Sequence, residues 1–261
     1  MPVTSVYRNI FLMTNAIDLN CDMGEGLAND AELMPLISSA NIACGFHAGN
    51  ENTMKKTISL ALENQVAIGA HPSFADKENF GRINQFLSHT ELFDLVSIQL
   101  NSFQSIANSM GAIVHHVKPH GALYNMAAQN KSMANIIALA IKSIQPNLIV
   151  YGLCNSFIIS EAKALGLQTA SEGFADRTYQ IDGSLTPRSE VDAIITNETQ
   201  IIKQVLQMLQ EKTVTTNNNQ IIPIAIDTIC IHGDSQQAVV FAKNIQQILM
   251  KNNILIQTIA H

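Results

Sequence analysis

Short apolar runs that end in polar side chains recur along this sequence, and they constrain the fold more than any other feature. Each run looks like a buried strand with Asp, His, Lys or Arg at or near its carboxyl end. The runs lie in residues 17–26, 41–50, 66–73, 115–125, 172–179 and 229–234. The segments between them are long enough for helices. Strands that alternate with helices and carry their chemistry at their carboxyl ends are typical of a β/α barrel.

The apolar runs predict seven strands. They are Ile17–Cys21, Asn41–Gly45, Val66–Ala70, Ala112–Val117, Leu148–Tyr151, Gln168–Glu172 and Ile226–Ile231, with a further short strand within 254–259. Alternation of strands with helices implies parallel βα units. A seven-stranded, distorted TIM-like α/β barrel fits this count better than eight strands do, and an open doubly wound sheet is the competing arrangement.

Helical spacing and capping residues predict the segments between the strands. Asn52 is a candidate N-cap for one helix, and Ser88 or Thr90 for the long helix that ends near Ser109. Residues 176–189 and 213–222 are polar and are expected to be irregular. The predicted helices cover residues 29–39, 52–64, 88–109, 132–143, 157–165, 198–210 and 235–252.

The chain has 261 residues, with no low-complexity linker and no break in composition, so we expect one barrel domain over residues 16–261. Residues 1–15 are interpreted as a dispensable N-terminal extension. Their apolar patch, residues 10–13, is too short for a signal peptide, and Met13 just before the first strand is a candidate natural start.

Composition excludes two functional classes. The net charge is −6 and no basic stripe is present, so we expect no binding to nucleic acid. No apolar run approaches the ~18–20 residues of a membrane-spanning helix, so we expect no membrane insertion. The four cysteines form no CxxC pair, and three fall in predicted strands. Reduced core thiols and a cytoplasmic location are therefore expected.

The polar strand ends predict a functional site. Side chains two residues apart share one face of a strand, so Asp18, Asn20 and Asp22 lie together. Carboxylates inside a barrel are costly unless they bind metal, accept hydrogen bonds or meet solvent. A lone histidine at a strand end is more often structural than functional, but six polar ends on the same side favour an active site at the barrel mouth. The other strand ends contribute His47, His71, Lys118, His120, Asp176, Arg177 and His232.

Three chemistries fit these residues. An Asp with two His, such as Asp22, His47 and His71, could hold a divalent metal that activates water. Carboxylates and imidazoles could act as general acid and base on an amide. Lys118 and arginines such as Arg177 could clamp a phosphate or a carboxylate. The sequence contains neither GxxxxGK[ST] nor GxGxxG, so a nucleotide would bind without a standard phosphate loop.

Taken together, the motifs resemble the LamB/YcsF family over about residues 16–250. The matching segments are DLNCDMGEG (18–26), SANIACGFHAGN (39–50), AIGAHPS (67–73), FGR (80–82), HVKPHGALYN (116–125), EGFADRTYQIDGSLTPRS (172–189) and ICIHGD (229–234). The resemblance implies a seven-stranded barrel of the glycoside hydrolase/deacetylase type. It also implies one component of an ATP-hydrolysing 5-oxoprolinase, which works with subunits B and C to open the cyclic amide 5-oxo-L-proline to L-glutamate.

The resemblance also implies roles for individual residues. Asp22, His120, Lys118 and His47 are expected to be catalytic, with Asp22 or His120 as acid or base and Lys118 neutralising charge on phosphate or the amide oxygen. The expected metal ligands, where a metal binds, are Asp22, His47 and His71. The family commonly has Asp where this chain has Asn50. Binding of substrate or phosphate, with ATP as co-substrate, is expected at Asp18, Asn20, His71, Asp176, Arg177 and His232.

Two alternatives stay open. One is a metal-dependent deacetylase or amidohydrolase that acts on a small amide or carbohydrate without ATP. The other is a non-catalytic component that only positions substrate for its partners, although such a scaffold has no need of buried carboxylates and imidazoles at its mouth.

Overall fold

The computed structural model describes residues 15–231, 233 and 237–260. Strands β1–β6 and β9 form one parallel sheet, in which β9 pairs with both β6 and β1 and so closes a seven-stranded barrel. The predicted distorted barrel is confirmed, and the open sheet is wrong. The strands are β1 (Asn15–Met23), β2 (Ser39–Ala43), β3 (Ala67–His71), β4 (Val114–Val117), β5 (Ile149–Leu153), β6 (Thr169–Phe174), β7 (Thr213–Thr215), β8 (Ile221–Pro223), β9 (Thr228–Ile231) and β10 (Ile254–Ile256).

Helices follow most barrel strands. They are α1 (Asp30–Leu33), α2 (Glu51–Glu63), α3 (His89–Ser109), α4 (Gly121–Gln129), α5 (Lys131–Ile144), α6 (Phe157–Ala164), α7 (Glu198–Leu206) and α8 (Ala238–Lys251). A 3-10 turn, Met34–Leu36, follows α1, and a π-helical turn, Gln207–Glu211, extends α7. No described helix is both long enough and apolar enough to cross a membrane.

The helix boundaries confirm one of the capping predictions and contradict the other. Ser88 caps α3 in a complete capping box with Glu91, as predicted. Asn52 is not the cap of α2, because the side chain of Asn50 accepts the Thr53 backbone N–H at 3.1 Å. Asn and Asp cap helices equally well. The replacement of the family's usual Asp by Asn50 therefore preserves this capping function.

Three elements differ from the prediction. The predicted helix 29–39 is only α1 with its 3-10 turn, and Ser39 already belongs to β2. Residues 213–223 form the antiparallel β7–β8 hairpin instead of an irregular excursion. The short helix α4 was not predicted, because it follows the strand end at Pro119–His120 without a capping side chain. Its first residue, Gly121, has φ +56°, and a Cβ there would lie 2.6 Å from the carbonyl oxygen of Gly81. This close approach ties the start of α4 to the 80–82 loop.

The two faces of β1 differ in chemistry. Leu19, Cys21 and Met23 are fully buried in the apolar layer between the barrel and its helices. The alternate residues of this strand are polar and face the barrel interior, as the alternation predicts. All four cysteines are buried free thiols, which confirms the expectation of reduced core cysteines.

The C-terminal segment covers the amino-terminal end of the barrel. β10 pairs with the first residues of β1, and the Gln257 N–H donates to the carbonyl of Ile17 at 3.0 Å. Ile259 then packs on Ile149, Tyr151 and Ala170. The mouth at the opposite, carboxyl end of the strands is the open one. Residues 1–14 lie outside the described residues, and the dispensable extension and the single-domain boundary stay predictions.

Candidate active site

The polar residues inside the barrel lie in layers. Asp18 belongs to the layer farthest from the mouth, which is called the floor. Its carboxylate accepts hydrogen bonds from Ser38 Oγ at 2.7 Å, Ser39 Oγ at 2.6 Å and Thr228 Oγ1 at 2.6 Å. Burial raises the pKa of Asp18, and these hydroxyl donors oppose the rise only in part. Four residues of strand separate Asp18 from Asp22, or about 13 Å. Asp18 shares the face of Asp22 but does not line the mouth cavity, contrary to the expectation of a substrate contact.

Lys118 occupies the middle of the barrel. Its Nζ lies 2.8 Å from Glu172 Oε1 and 3.0 Å from Asp22 Oδ1, and it donates to Asn20 Oδ1 at 3.1 Å. Burial opposes the charge of Lys118, but the carboxylates outweigh burial and raise its pKa well above the usual value. Lys118 is therefore an ammonium held beneath the mouth. Asn20 acts here as a bridge, because its Nδ2 donates to Glu172 Oε1 at 2.9 Å.

Glu172 and Tyr124 complete this layer. Glu172 is fully buried, and its Oε2 accepts from the Tyr124 hydroxyl at 2.7 Å. Burial and the adjacent Glu172 raise the pKa of Tyr124 well above its ordinary value, so the phenol keeps its proton. No role was assigned to either residue from the sequence. Glu172 was predicted only as the last residue of the sixth strand, and Tyr124 lies on the helix that was not predicted.

Three imidazoles and one carboxylate converge above Lys118. Glu25 Oε1 lies 3.1 Å from His47 Nε2, 3.3 Å from His120 Nδ1 and 3.9 Å from His71 Nε2. His71 Nε2 is also 2.9 Å from His120 Nδ1 and 3.3 Å from Asp22 Oδ2. One ligand atom from each of Glu25, His47, His71 and His120 lies within 4.8 Å of the others.

In each of these imidazoles, the ring nitrogen that points away from Glu25 has a partner that identifies it as the protonated one. His71 Nδ1 lies 2.6 Å from the carbonyl oxygen of Lys118, and His120 Nε2 lies 2.9 Å from that of Phe80. A carbonyl only accepts, so both nitrogens must carry a proton. His47 Nδ1 lies 2.8 Å from Ser73 Oγ, which itself donates to the Phe74 carbonyl at 2.9 Å, so this nitrogen is also the donor.

The other ring nitrogens, His47 Nε2, His71 Nε2 and His120 Nδ1, all face Glu25. Burial lowers the pKa of His47 to about 3, and burial also lowers the pKa of His120 well below its ordinary value. Neutral imidazoles whose second nitrogen donates to a carbonyl or hydroxyl are the usual form of histidine metal ligands. The Glu25, His47, His71 and His120 set therefore fits a divalent metal of the zinc type.

This cluster overlaps the expected ligand set, which stays a prediction. His47 and His71 belong to both. Glu25, to which no role was assigned from the sequence, stands beside them, and His120 is the fourth member. Asp22 lies outside the four but is adjacent through His71, and its Oδ1 is engaged by Lys118 and by Asn41 at 2.8 Å.

The mouth opens into a cavity of about 710 Å³. Its lining includes Asp22, Glu25, Lys118 and Tyr124, so the ammonium and the imidazole cluster face the same space. Arg177 and the loop 184–189 also line this cavity. A cavity of this size with a few convergent polar groups is typical of small-molecule sites.

The remaining predicted residues lie at different places. Arg177 lines the cavity, but its Nε donates to the Ala193 carbonyl at 3.1 Å and its Nη2 to the Thr186 carbonyl, so it also ties the wall loop. Burial lowers the pKa of Arg177 to about 10, which leaves it cationic at neutral pH. Asp176 does not line this cavity, although its carbonyl accepts the Ile195 N–H at 2.8 Å. His232 lies outside the described residues.

Comparisons with known proteins agree with the motifs. The chain is 48% identical over 248 residues to the A subunit of 5-oxoprolinase from Staphylococcus aureus strain Newman, which covers 93% of this chain and 99% of that protein. The crystal structure of a lactam utilization protein from Thermus thermophilus covers 94% of this chain and 100% of its own, with 34% identity and a TM-score of 0.87. The model of the LamB/YcsF family matches residues 17–261. The chain belongs to the LamB/YcsF family.

Proposed function

We propose that this chain is the A subunit of an ATP-dependent 5-oxoprolinase and opens 5-oxo-L-proline to L-glutamate together with subunits B and C. The name of its 48% identical relative supports this substrate. The structural observation that carries the proposal is the Lys118 ammonium, which lines the mouth cavity beside Asp22 and the imidazole cluster. An enzyme that uses ATP and makes glutamate is expected in the cytoplasm.

The proposed reaction explains why such a site needs a buried cation. A five-membered lactam is a stable amide, and water must add across its C–N bond, with hydroxyl going to the carbonyl carbon and a proton to the ring nitrogen. Transfer of the terminal phosphoryl group from ATP to the lactam oxygen releases ADP and makes that carbon electrophilic. Addition of one water and cleavage of the C–N bond leave an acyl phosphate, which a second water hydrolyses to glutamate and inorganic phosphate. Lys118 neutralises the negative charge on the phosphate or the oxygen, and a preorganised buried donor of this kind is worth about 100–1000-fold in rate.

Asp22 is the proposed acid–base group, and His120, the other candidate, is assigned to the imidazole cluster. Asp22 Oδ2 points towards His71, while its Oδ1 is held by Lys118 and Asn41, so the carboxylate is fixed in orientation and faces the cavity. A carboxylate at this place can take the proton of the attacking water. Arg177 provides a cationic wall for the substrate carboxylate or a phosphate.

Glu25, His47, His71 and His120 would hold a divalent metal in this mechanism. Such a metal polarises a carbonyl or phosphoryl oxygen and lowers the pKa of bound water. The chain's own residues then have separate tasks, because Lys118 neutralises charge from below while Asp22 handles the proton.

A metal-dependent amidohydrolase that works without ATP is the second candidate. The observation that favours it is the same cluster of ring nitrogens around Glu25, because a metal bound there could activate water unaided. The two candidates differ in their need for ATP and partners, since direct hydrolysis would need neither.

Release of glutamate from 5-oxo-L-proline, with and without ATP, tests the proposal. The assay uses this chain alone and mixed with subunits B and C, and the Asp22→Asn variant serves as the catalytically impaired control. ATP-dependent release only in the full mixture, lost in the variant, is the expected result. No release from a folded, assembled complex would overturn the 5-oxoprolinase proposal.

Metal content is measured separately by elemental analysis and by titration of chelator-treated protein with Co²⁺, whose visible absorption reports nitrogen and oxygen ligation. A stoichiometric metal that is lost in His47→Ala supports the cluster as its site. Release of acetate or ammonia from simple amides by the metal-loaded chain without ATP would favour the second candidate.

A further inference from the structure

Two further histidines, His115 and His116, form a line of hydrogen-bond contacts through the barrel beneath the site. His115 Nε2 lies 2.8 Å from the carbonyl oxygen of Ile259 in the C-terminal segment. His115 Nδ1 lies 3.2 Å from His116 Nδ1, and His116 Nε2 lies 2.8 Å from Asn41 Oδ1. The line thus connects the floor of the barrel with the residue that holds Asp22.

The orientation of the Asn41 amide decides where protons sit on this line. Asn41 Nδ2 donates to Asn20 Oδ1 and Asp22 Oδ1, both at 2.8 Å. The reversed amide would place its oxygen against those two oxygens, so Asn41 Oδ1 must face His116. Asn20 cannot reverse either, because its Oδ1 accepts from Lys118 while its Nδ2 donates to Glu172. An amide oxygen only accepts, and His116 Nε2 must therefore carry a proton.

The other end of the line is fixed in the same way. The Ile259 carbonyl only accepts, so His115 Nε2 also carries a proton. Between the rings, one Nδ1 must donate to the other. The line therefore requires three ring protons, whereas two neutral imidazoles hold only two. We infer that His115 and His116 form a singly charged imidazole–imidazolium pair that acts as a positioning device for Asp22.

The surroundings place the charge on His115. His116 is fully buried and stacks on Tyr151, with ring centroids 4.2 Å apart and planes at 20°. Burial lowers the pKa of His116 well below its ordinary value, charges on His115, Lys118 and His71 lower it further, and Asp22 opposes the shift. His115 is only partly buried. Other titratable groups at this level are the Tyr151 phenol and Asp18, whose oxygens accept from Ser38, Ser39 and Thr228.

The pair acts on the site through one amide. The His116 Nε2–H holds the Asn41 oxygen, which turns both N–H groups of Asn41 towards Asn20 and Asp22. Asp22 Oδ1 is thereby occupied, and Oδ2 is left on the side of His71 and the cavity. An amide does not pass protons along as imidazole does, so the line positions Asp22 and does not relay protons to it. The catalytic consequence rests on the proposed function, whereas the proton count does not.

Nitrogen-15 NMR of the full chain with ring-labelled histidine tests the proton count directly. Long-range ¹H–¹⁵N correlation at neutral pH should show one imidazolium, assigned to His115, and one neutral Nε2–H tautomer, assigned to His116. The variants His115→Gln and His116→Gln assign the signals, and exposed His89 on α3, which lies outside the barrel, provides a separate reference signal. A neutral His115, or a His116 without a proton on Nε2, would overturn the inference.

The positioning role is tested in the assembled enzyme with two matched variants. In His116→Gln the side-chain amide can place an N–H near the position of Nε2, whereas His116→Asn is too short to do so. We expect kcat to fall about tenfold or more in His116→Asn and only about threefold or less in His116→Gln, in line with outer-shell effects elsewhere. Loss of the extra proton would break the contact between the two rings, so we expect wild-type kcat to fall as the pair deprotonates and the Gln variant to lack this pH dependence. Equal kcat in the two variants would refute the positioning role, and inactivity of the wild type would count only against the proposed function.

Discussion

Replacement of Lys118 by Met should damage both stability and turnover, and the two effects can be separated. Met has a similar length but no charge, so Lys118→Met leaves two carboxylates without the ammonium that lies 3.0 Å from Asp22 and 2.8 Å from Glu172. Removal of one partner from a buried ion pair costs about 3–5 kcal/mol. For a chain of this size we expect a fall in Tm of roughly 6–20 °C.

The double variant Lys118→Met/Glu172→Gln distinguishes the causes. It removes one of the two stranded charges and keeps an acceptor for the Tyr124 hydroxyl, so urea unfolding followed by circular dichroism should recover a substantial part of the lost free energy. Glutamate release should stay reduced by at least about 100-fold, because the ammonium is still missing. An unfolding free energy of Lys118→Met within about 1 kcal/mol of wild type would refute the charge-compensation argument. Recovery of turnover in the double variant would remove Lys118 from the chemistry.

Three further predictions test other parts of the structure. Burial raises the pKa of Asp18, so the folded state holds its proton to a higher pH than the unfolded state does, and the free energy of unfolding should fall as pH rises from about 4. Asp18→Asn should flatten this slope in urea titrations between pH 4 and 7. An unchanged slope would contradict the assignment. Gly121→Ala should cost more free energy of unfolding than Gly111→Ala, by about 1–3 kcal/mol, because both have positive φ but only Gly121 would press a Cβ against the Gly81 carbonyl, 2.6 Å away. Glu25→Gln should weaken zinc binding about 10-fold or more relative to exposed Glu63→Gln in competition with a chromogenic chelator, and equal affinities would exclude Glu25 as a ligand.

The barrel itself could be predicted because its strands are apolar runs, and the segments between them have apolar residues at helical spacing. The alternation along β1 was sufficient to place Asp18, Asn20 and Asp22 on one face. The position of each residue along the barrel axis could not be predicted from this alternation, because one face of a strand extends over the whole height of the barrel. Asp18 consequently lies in the floor, where hydroxyl groups take the place expected for substrate.

The residues missed at the mouth have a common physical reason. Glu25 lies beyond the end of β1 in a loop, where no periodicity constrains the direction of a side chain. Tyr124 reaches Glu172 only because α4 starts at a glycine pressed against the 80–82 loop. Such contacts depend on which loops fold over the barrel end, and that information is not local in the sequence. The strand-end histidines were predictable because a strand fixes both their position and their face.

The closure of the barrel has a consequence for how the protein is made. β9 seals the cylinder against β1, and Asp18 meets Thr228 across a separation of 210 residues. Contacts this distant in sequence incur a large loop-closure entropy and slow the last step of folding. During synthesis, the first strand must therefore wait for nearly the whole chain to leave the ribosome before its inner face is covered. Until then the polar residues on the inner face of β1 are exposed to water on the side that β9 covers. The closed barrel is thus a product of the final folding event, and a nascent chain that lacks β9 should leave Asp18 without its hydrogen bond from Thr228.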